Sequence, residues 1–181
     1  GTSYRMTIQG KVWDLETSKE ERDLGIIVTN NLKPSSQCIK AASKARSILG
    51  WINRQFGFIT KDEFKILYKT YVRPHMEFCI QAWSPYLQKD ILCLEKVQRR
   101  ATKLVYGMKD VGYEARLDIL GLYSLQQRRL RGDLIKVFKI LTGRENIDKT
   151  QFFIPAISGN LRGHDLKLFK PRSRLQIREN F

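Results

Sequence analysis

Apolar residues recur along this chain with two different periods. Near the N-terminus they alternate: Tyr4, Met6 and Ile8 fall on one side of an extended segment, and Trp13 and Leu15 follow after Gln9-Gly10. A period of two with glycine between the halves predicts a hairpin with Gly10 in its turn. A polar, acidic run from Glu20 then meets Asp23-Leu24-Gly25 and a short strand, Ile26-Ile27-Val28. Gly25 supplies the backbone freedom that a turn feeding a strand requires, and Glu20-Glu21 is expected in an exposed turn. Asn30-Asn31-Leu32-Lys33-Pro34 breaks the pattern, and Ser35 or Ser36 is available to cap a helix.

From about 36 to 56 the period becomes helical. At 100° per residue Ala41, Ala45, Ile48, Leu49, Ile52 and Phe56 share one face. The opposite face carries Lys40, Ser43, Lys44, Ser47, Gly50 and Arg54, with Trp51 between Lys40 and Lys44. Small side chains interleaved with cations let a helix axis approach a sugar-phosphate backbone. The other use of Ser43, Ser47 and Gly50 is packing against a second helix.

Thr60-x-x-Glu63 is a capping box. The helix it opens is expected to bury Phe64, Leu67, Tyr68 and Tyr71, to be kinked or interrupted at Pro74, and to continue its face through Phe78, Cys79 and Ala82. His75 falls on that face and reads as a core histidine. A further helix spans about 90–105, with Gly107 past its end. Its buried stripe is Cys93, Leu94, Val97, Ala101 and Leu104, and Lys96, Arg99, Arg100 and Lys103 cluster opposite, with only Glu95 as a nearby acidic partner. Tyr113 to Leu120 is a short helix stopped by Gly121. Ser124-x-x-Gln127 is a second capping box, opening a helix to Leu141 that ends at Gly143. Leu130, Leu134, Val137, Phe138 and Leu141 are expected to face inward there, and Arg128, Arg129, Lys136 and Lys139 outward.

Beyond Arg144 the helical period fails. Gln151-Phe152-Phe153-Ile154-Pro155 and Asp165-Leu166-Lys167-Leu168-Phe169-Lys170 read as short extended pieces in a basic tail that also holds Arg162, Arg172, Arg174 and Arg178. The expected fold is therefore mainly α, with β-structure at the N-terminus and an irregular basic C-terminal tail. Its divisions are 1–33, 34–143 and 144–181.

Charge sharpens this picture. The 33 Lys and Arg against 18 Asp and Glu leave a formal net charge of +15, which points to a polyanionic partner. The alternative is a merely basic, soluble surface. Hydrophobic residues make up 42% of the 181 positions, enough for a real core. The three cysteines, Cys38, Cys79 and Cys93, have no metal-type spacing and suit a reducing, intracellular compartment, cytoplasmic or nuclear. His75 and Cys79 are one helical turn apart but no second pair completes a zinc site, since His164 lies far along the chain. No run reaches membrane-spanning length, the N-terminus lacks a signal-peptide pattern, and both ends read as cut. No two aspartates are adjacent, and there is no phosphate loop, HExxH or GxSxG. The two-metal chemistry of a polymerase needs close carboxylates, so the chain alone reads as non-catalytic, with no cofactor or metal of its own.

Several stretches together resemble the C-terminal part of the reverse transcriptase of non-LTR (LINE-type) retrotransposons, in particular the jockey-like and chicken-repeat-like elements of animals. They are Glu21-Arg22-Asp23-Leu24-Gly25-Ile26-Ile27-Val28-Thr29, Lys40-Ala41-Ala42-Ser43-Lys44-Ala45, Leu67-Tyr68-Lys69-Thr70-Tyr71-Val72-Arg73-Pro74-His75-Met76-Glu77-Phe78, Ala82-Trp83-Ser84-Pro85-Tyr86 and Leu94 through Val105. Leu120-Gly121-Leu122-Tyr123-Ser124-Leu125 and Arg128 through Ile135 complete the series, over about 20–181. The resemblance implies an end-of-palm, primer-grip-like hairpin at 1–33, a helical thumb at 34–143 and a truncated connection segment at 144–181. It implies that Leu24 and Gly25 match the grip turn, that Lys40, Lys44 and Arg46 lie on the first thumb helix, and that the catalytic Asp-Asp motif, with its Mg²⁺, lies upstream of Gly1. The implied partners are an RNA or RNA–DNA hybrid duplex and the palm and fingers of a parent polymerase, with no membrane. The candidate nucleic-acid contacts are then Lys40, Lys44, Arg46, Trp51, Lys96, Arg99, Arg100, Lys103, Arg128 and Arg129. The alternative is a domesticated or degenerate transposon fragment that acts as a protein-interaction module or has no function.

Overall fold

The computed structural model describes residues 4–156 and 166–172. It is mainly α-helical, with two antiparallel hairpins at the N-terminus. Strands β1 (Arg5–Ile8) and β2 (Lys11–Asp14) form the first. Gln9 and Gly10 in its turn both have positive φ, 50° and 78°, the geometry that matches the right-handed twist of a two-residue hairpin. The second pairs β3 (Glu20–Asp23) with β4 (Ile26–Thr29). Glu20-Glu21 is thus strand rather than turn, and Leu24-Gly25, with φ of 44° and 90°, makes the reversal. The ladder extends the chain through an acidic run because β4 offers it a full set of partners.

Helix α1 (Ser35–Gln55) organises the core. Cys38, Ala41, Ala42, Ala45, Leu49 and Ile52 are buried, and the small alanines let α5 (Gln88–Ala101) pack along it. Neither Ser35 nor Ser36 caps α1. Pro34 stands at its N-cap, and the Ser35 hydroxyl donates to the buried Asp90 carboxylate at 2.7 Å. Phe56 is exposed and Ile48 only half-buried.

The Thr60–Glu63 capping box opens α2 (Lys61–Leu67), which runs into a π-helical turn at Tyr68–Val72 and then α3 (Pro74–Glu77). Phe64, Tyr68, Val72 and Met76 are the buried side chains here. The π turn adds one residue per turn and shifts the face, so Tyr71 is exposed. Cys79 takes a left-handed conformation, φ 49°, before α4 (Ile80–Trp83). That break exposes Phe78, Cys79 and Ala82 and buries Ile80 and Trp83 instead. It also removes His75 and Cys79 from a common helical turn.

Along α5, Ile91, Leu94, Val97 and Ala101 are buried, whereas Cys93 and Leu104 are half-buried. A 3₁₀ turn, Thr102–Leu104, follows. Helix α6 (Tyr113–Leu120) ends at left-handed Gly121, and α7 (Leu125–Leu141) starts at the Ser124–Gln127 capping box. A buried polar network joins these elements. Gln98 donates to the Tyr123 carbonyl at 2.9 Å, Tyr113 donates to Glu95, and the Leu125 N–H donates to Glu95 Oε2 at 3.1 Å. In the tail, Gln151 ends a short 3₁₀ turn, Lys149–Gln151. Pro155 and Leu168 form an antiparallel bridge, so the two extended pieces pair with each other. Arg162, His164, Asp165, Arg174 and Arg178 lie outside the described residues. Among the described residues no helix is long and apolar enough to cross a membrane.

Candidate nucleic-acid interface

Helix α1 carries Lys40, Lys44, Arg46 and Arg54 and no carboxylate. Its apolar stripe is spent on the core, so Lys40, Ser43, Lys44 and Ser47 face solvent. The β3–β4 hairpin lies beside this face. Gln37 anchors it by accepting the Ile27 N–H at 2.9 Å, and Ile26 packs on the core. Hairpin, α1 and the end of α3 enclose an open cleft of about 1030 Å³. Arg22, Gly25, Lys40, Ser43, Lys44 and Ser47 line it, together with Glu20, His75 and the Phe78 ring. A Cβ added at Gly25 would meet the Phe78 ring edge at 3.4 Å, and the φ of 90° disfavours any side chain there. Lys40 and Lys44 form no ion pair among the described residues.

The structure thus brings Gly25, Lys40 and Lys44 into one cleft. Leu24 is the exposed tip of the hairpin and does not line it. Arg46 is exposed on α1 outside the lining. Trp51, 54% exposed, lies at about the azimuth of Lys40, eleven residues on, so it extends the same stripe by about 16 Å. Arg22, His75 and Phe78 escaped the sequence reading as contacts. Arg22 was legible from the strand period, since Glu20 and Arg22 share a side. His75 is half-buried in the cleft wall, not a core residue; the π turn that rotates it has no clear sequence signature.

The second cationic surface is on α5. Lys96, Arg99, Arg100 and Lys103 are all exposed. Glu95, the one nearby acidic residue, is buried and accepts hydrogen bonds from Tyr113 and the Leu125 N–H. Asp90 is turned inward to Ser35. The exposed face is therefore of one sign. The Arg99 guanidinium sits 4.5 Å over the Tyr113 ring. No α5 residue lines the α1 cleft, so these are two separate surfaces.

Arg128 and Arg129 do not belong to either. Arg128 pairs in bidentate fashion with Glu77, with Nη2 at 3.0 Å from Oε2, and this hydrogen bonding raises its pKa. Arg129 is 6% exposed, and burial lowers its pKa against the pull of the Glu95 carboxylate. Its Nη2 is buried without a hydrogen-bond partner among the described residues. The Arg128 guanidinium ties α7 to the end of α3, whereas Arg129 is buried with no ion pair among the described residues. The reverse side follows: Leu130, Leu134 and Phe138, expected inside, are exposed, and Val137 and Leu141 are half-buried. No protein-family model, curated protein or solved structure matches this chain.

Proposed function

We propose that this chain holds a nucleic-acid duplex by its phosphates, as the thumb region of a non-LTR-type RNA-directed DNA polymerase, with RNA or an RNA–DNA hybrid as the bound duplex. The observation that carries the reading is the cleft in which Arg22 and Gly25 of the hairpin share a lining with Lys40, Lys44 and the small residues Ser43 and Ser47. Unpaired cations on a preorganised helix face bind phosphate without ordering a flexible segment first. Ser43 and Ser47 keep the helix surface low, so the backbone can come close. Lysine and serine contacts to phosphate and sugar carry no base information, so little sequence preference is expected. The α5 face, on a separate surface, is available to a longer duplex or a second strand.

The test is the affinity for an RNA–DNA hybrid measured across salt concentration. Each phosphate neutralised contributes ~0.9 to the slope of log K against log salt. Binding that steepens in this way, with similar affinity for unrelated sequences, supports the proposal. A flat salt dependence, or no binding at low salt, defeats it. Catalysis needs carboxylates from a palm outside this chain, so primer extension by the chain alone, with Mg²⁺ and all four deoxynucleotides, is expected to give no incorporation.

A further inference from the structure

Helix α7 keeps a surface that its sequence pattern marks for burial. Leu130 and Leu134 are each 62% exposed and Phe138 46%. At i, i+4 and i+8 they form one stripe about 12 Å long, with half-buried Val137 and Leu141 beside it. Scattered exposed leucines are ordinary, but a contiguous stripe of this kind marks an interaction surface. The core cannot take the stripe, because Arg129 and Ile140 occupy the inward side of α7 and Arg128 is tied to Glu77.

We infer that this face docks an amphipathic helix whose apolar stripe is flanked by carboxylates. The choice of occupant follows from charge. On the open side of the stripe, Arg131 and Lys139 are exposed and form no ion pair among the described residues. The Arg144 guanidinium lies 5.5 Å over the Phe138 ring, at the end of the stripe. The one carboxylate of α7, Asp133, is half-buried on the side of Arg129, and burial raises its pKa. A second copy of the chain would set these cations against their own kind, on a molecule of net charge +15. Nucleic acid would match the cations but leave the leucines wet. An acidic amphipathic helix satisfies both, with leucine-type anchors at i, i+3 or i+4, and i+7 in the manner of helix-to-helix recognition.

The experiment uses the full chain and two synthetic helical peptides of about twenty residues. Both carry the same leucine stripe; one flanks it with Glu, the other with Lys. Fluorescence anisotropy should show binding of the Glu peptide and at least tenfold weaker binding of the Lys peptide. Leu130→Glu with Leu134→Glu should abolish binding while leaving the circular dichroism and the hybrid affinity unchanged, since both side chains are mostly in water already. Arg131→Glu, a milder surface change, should narrow or reverse the preference between the peptides. The inference is overturned if neither peptide binds, if both bind equally, if the double variant binds normally, or if sedimentation shows a dimer that the double variant dissolves. Hybrid binding is read separately on the same samples, so failure here leaves the duplex proposal standing, and the reverse.

Discussion

Helices α1 and α7 both interleave cations with an apolar stripe at helical spacing, and they end up facing opposite ways. In α1 the stripe goes inward through Cys38, Ala41, Ala42, Ala45, Leu49 and Ile52, and the lysines line a cleft. In α7 two arginines turn inward and four large apolar side chains, Leu130, Leu134, Ile135 and Phe138, stay out. The difference lies in what the neighbours offer. Facing α1 are apolar α5 side chains, close because the alanines are small. Facing α7 are Glu77 and Glu95, and the Leu125 N–H is already held by Glu95. Glu77 is half-buried and takes Arg128 in a bidentate pair, which fixes the rotation of α7 and turns the arginine side inward. Periodicity states that a helix is two-faced; it does not state which face a half-buried carboxylate will claim.

The largest effect expected from testing this contrast is on stability. Arg128→Ala breaks the bidentate pair that ties α7 to Glu77 and should cost about 2 kcal/mol, the loss expected for hydrogen bonds to a charged group. Urea denaturation measures the loss, and hybrid binding by the folded fraction should keep its salt slope. A lower slope would put α7 in the interface after all. Next, Lys40→Ala with Lys44→Ala should leave the denaturation midpoint in place and reduce the salt slope by about 1.8, two phosphates' worth. An unchanged slope would remove α1 from the interface and leave the α5 patch.

A smaller effect is expected from Ser47→Leu, which raises the floor of the cleft without touching the core. It should weaken the hybrid by roughly tenfold, ~1.4 kcal/mol, with thermal unfolding unaltered. Normal binding would mean that the duplex does not approach this face closely. The smallest is Leu24→Asn. Leu24 is 87% exposed and holds φ 44°, a conformation that costs leucine about 1 kcal/mol and that asparagine tolerates. The variant should stabilise the anchored hairpin by at most that amount, seen as slower amide exchange in β3 and β4. Gln9→Asn in the unanchored first hairpin should do the same locally without moving the global midpoint.

Local signals were read well from the chain. The capping boxes at Thr60 and Ser124, the stops at Gly121 and Gly143 and the Gly10 turn are short-range effects, set by residues within one turn of each other. The cation-and-serine face of α1 was legible for the same reason: a strongly amphipathic helix with six small or apolar core positions has one way to sit. Three things were not. The π turn at Tyr68–Val72 and the left-handed Cys79 shift the register of everything up to Trp83, so His75 and Phe78 move from core to cleft wall. Glu95 is buried against Tyr113 and the Leu125 N–H, so the α5 patch, already of one sign in the sequence, loses even its nearby carboxylate. The rotation of α7 removes Arg128 and Arg129 from the candidate contacts.

By itself the sequence determined a mainly helical chain with a hairpin start, the capping boxes that open α2 and α7, and a large excess of positive charge, because each of these depends on neighbours in sequence or on composition alone. Which cations stand free, and which apolar stripe is left uncovered, was decided only by the tertiary structure. A half-buried carboxylate draws its counter-charge from whatever helix is near in space, and Glu77 and Arg128, 51 residues apart, meet only once the chain is folded.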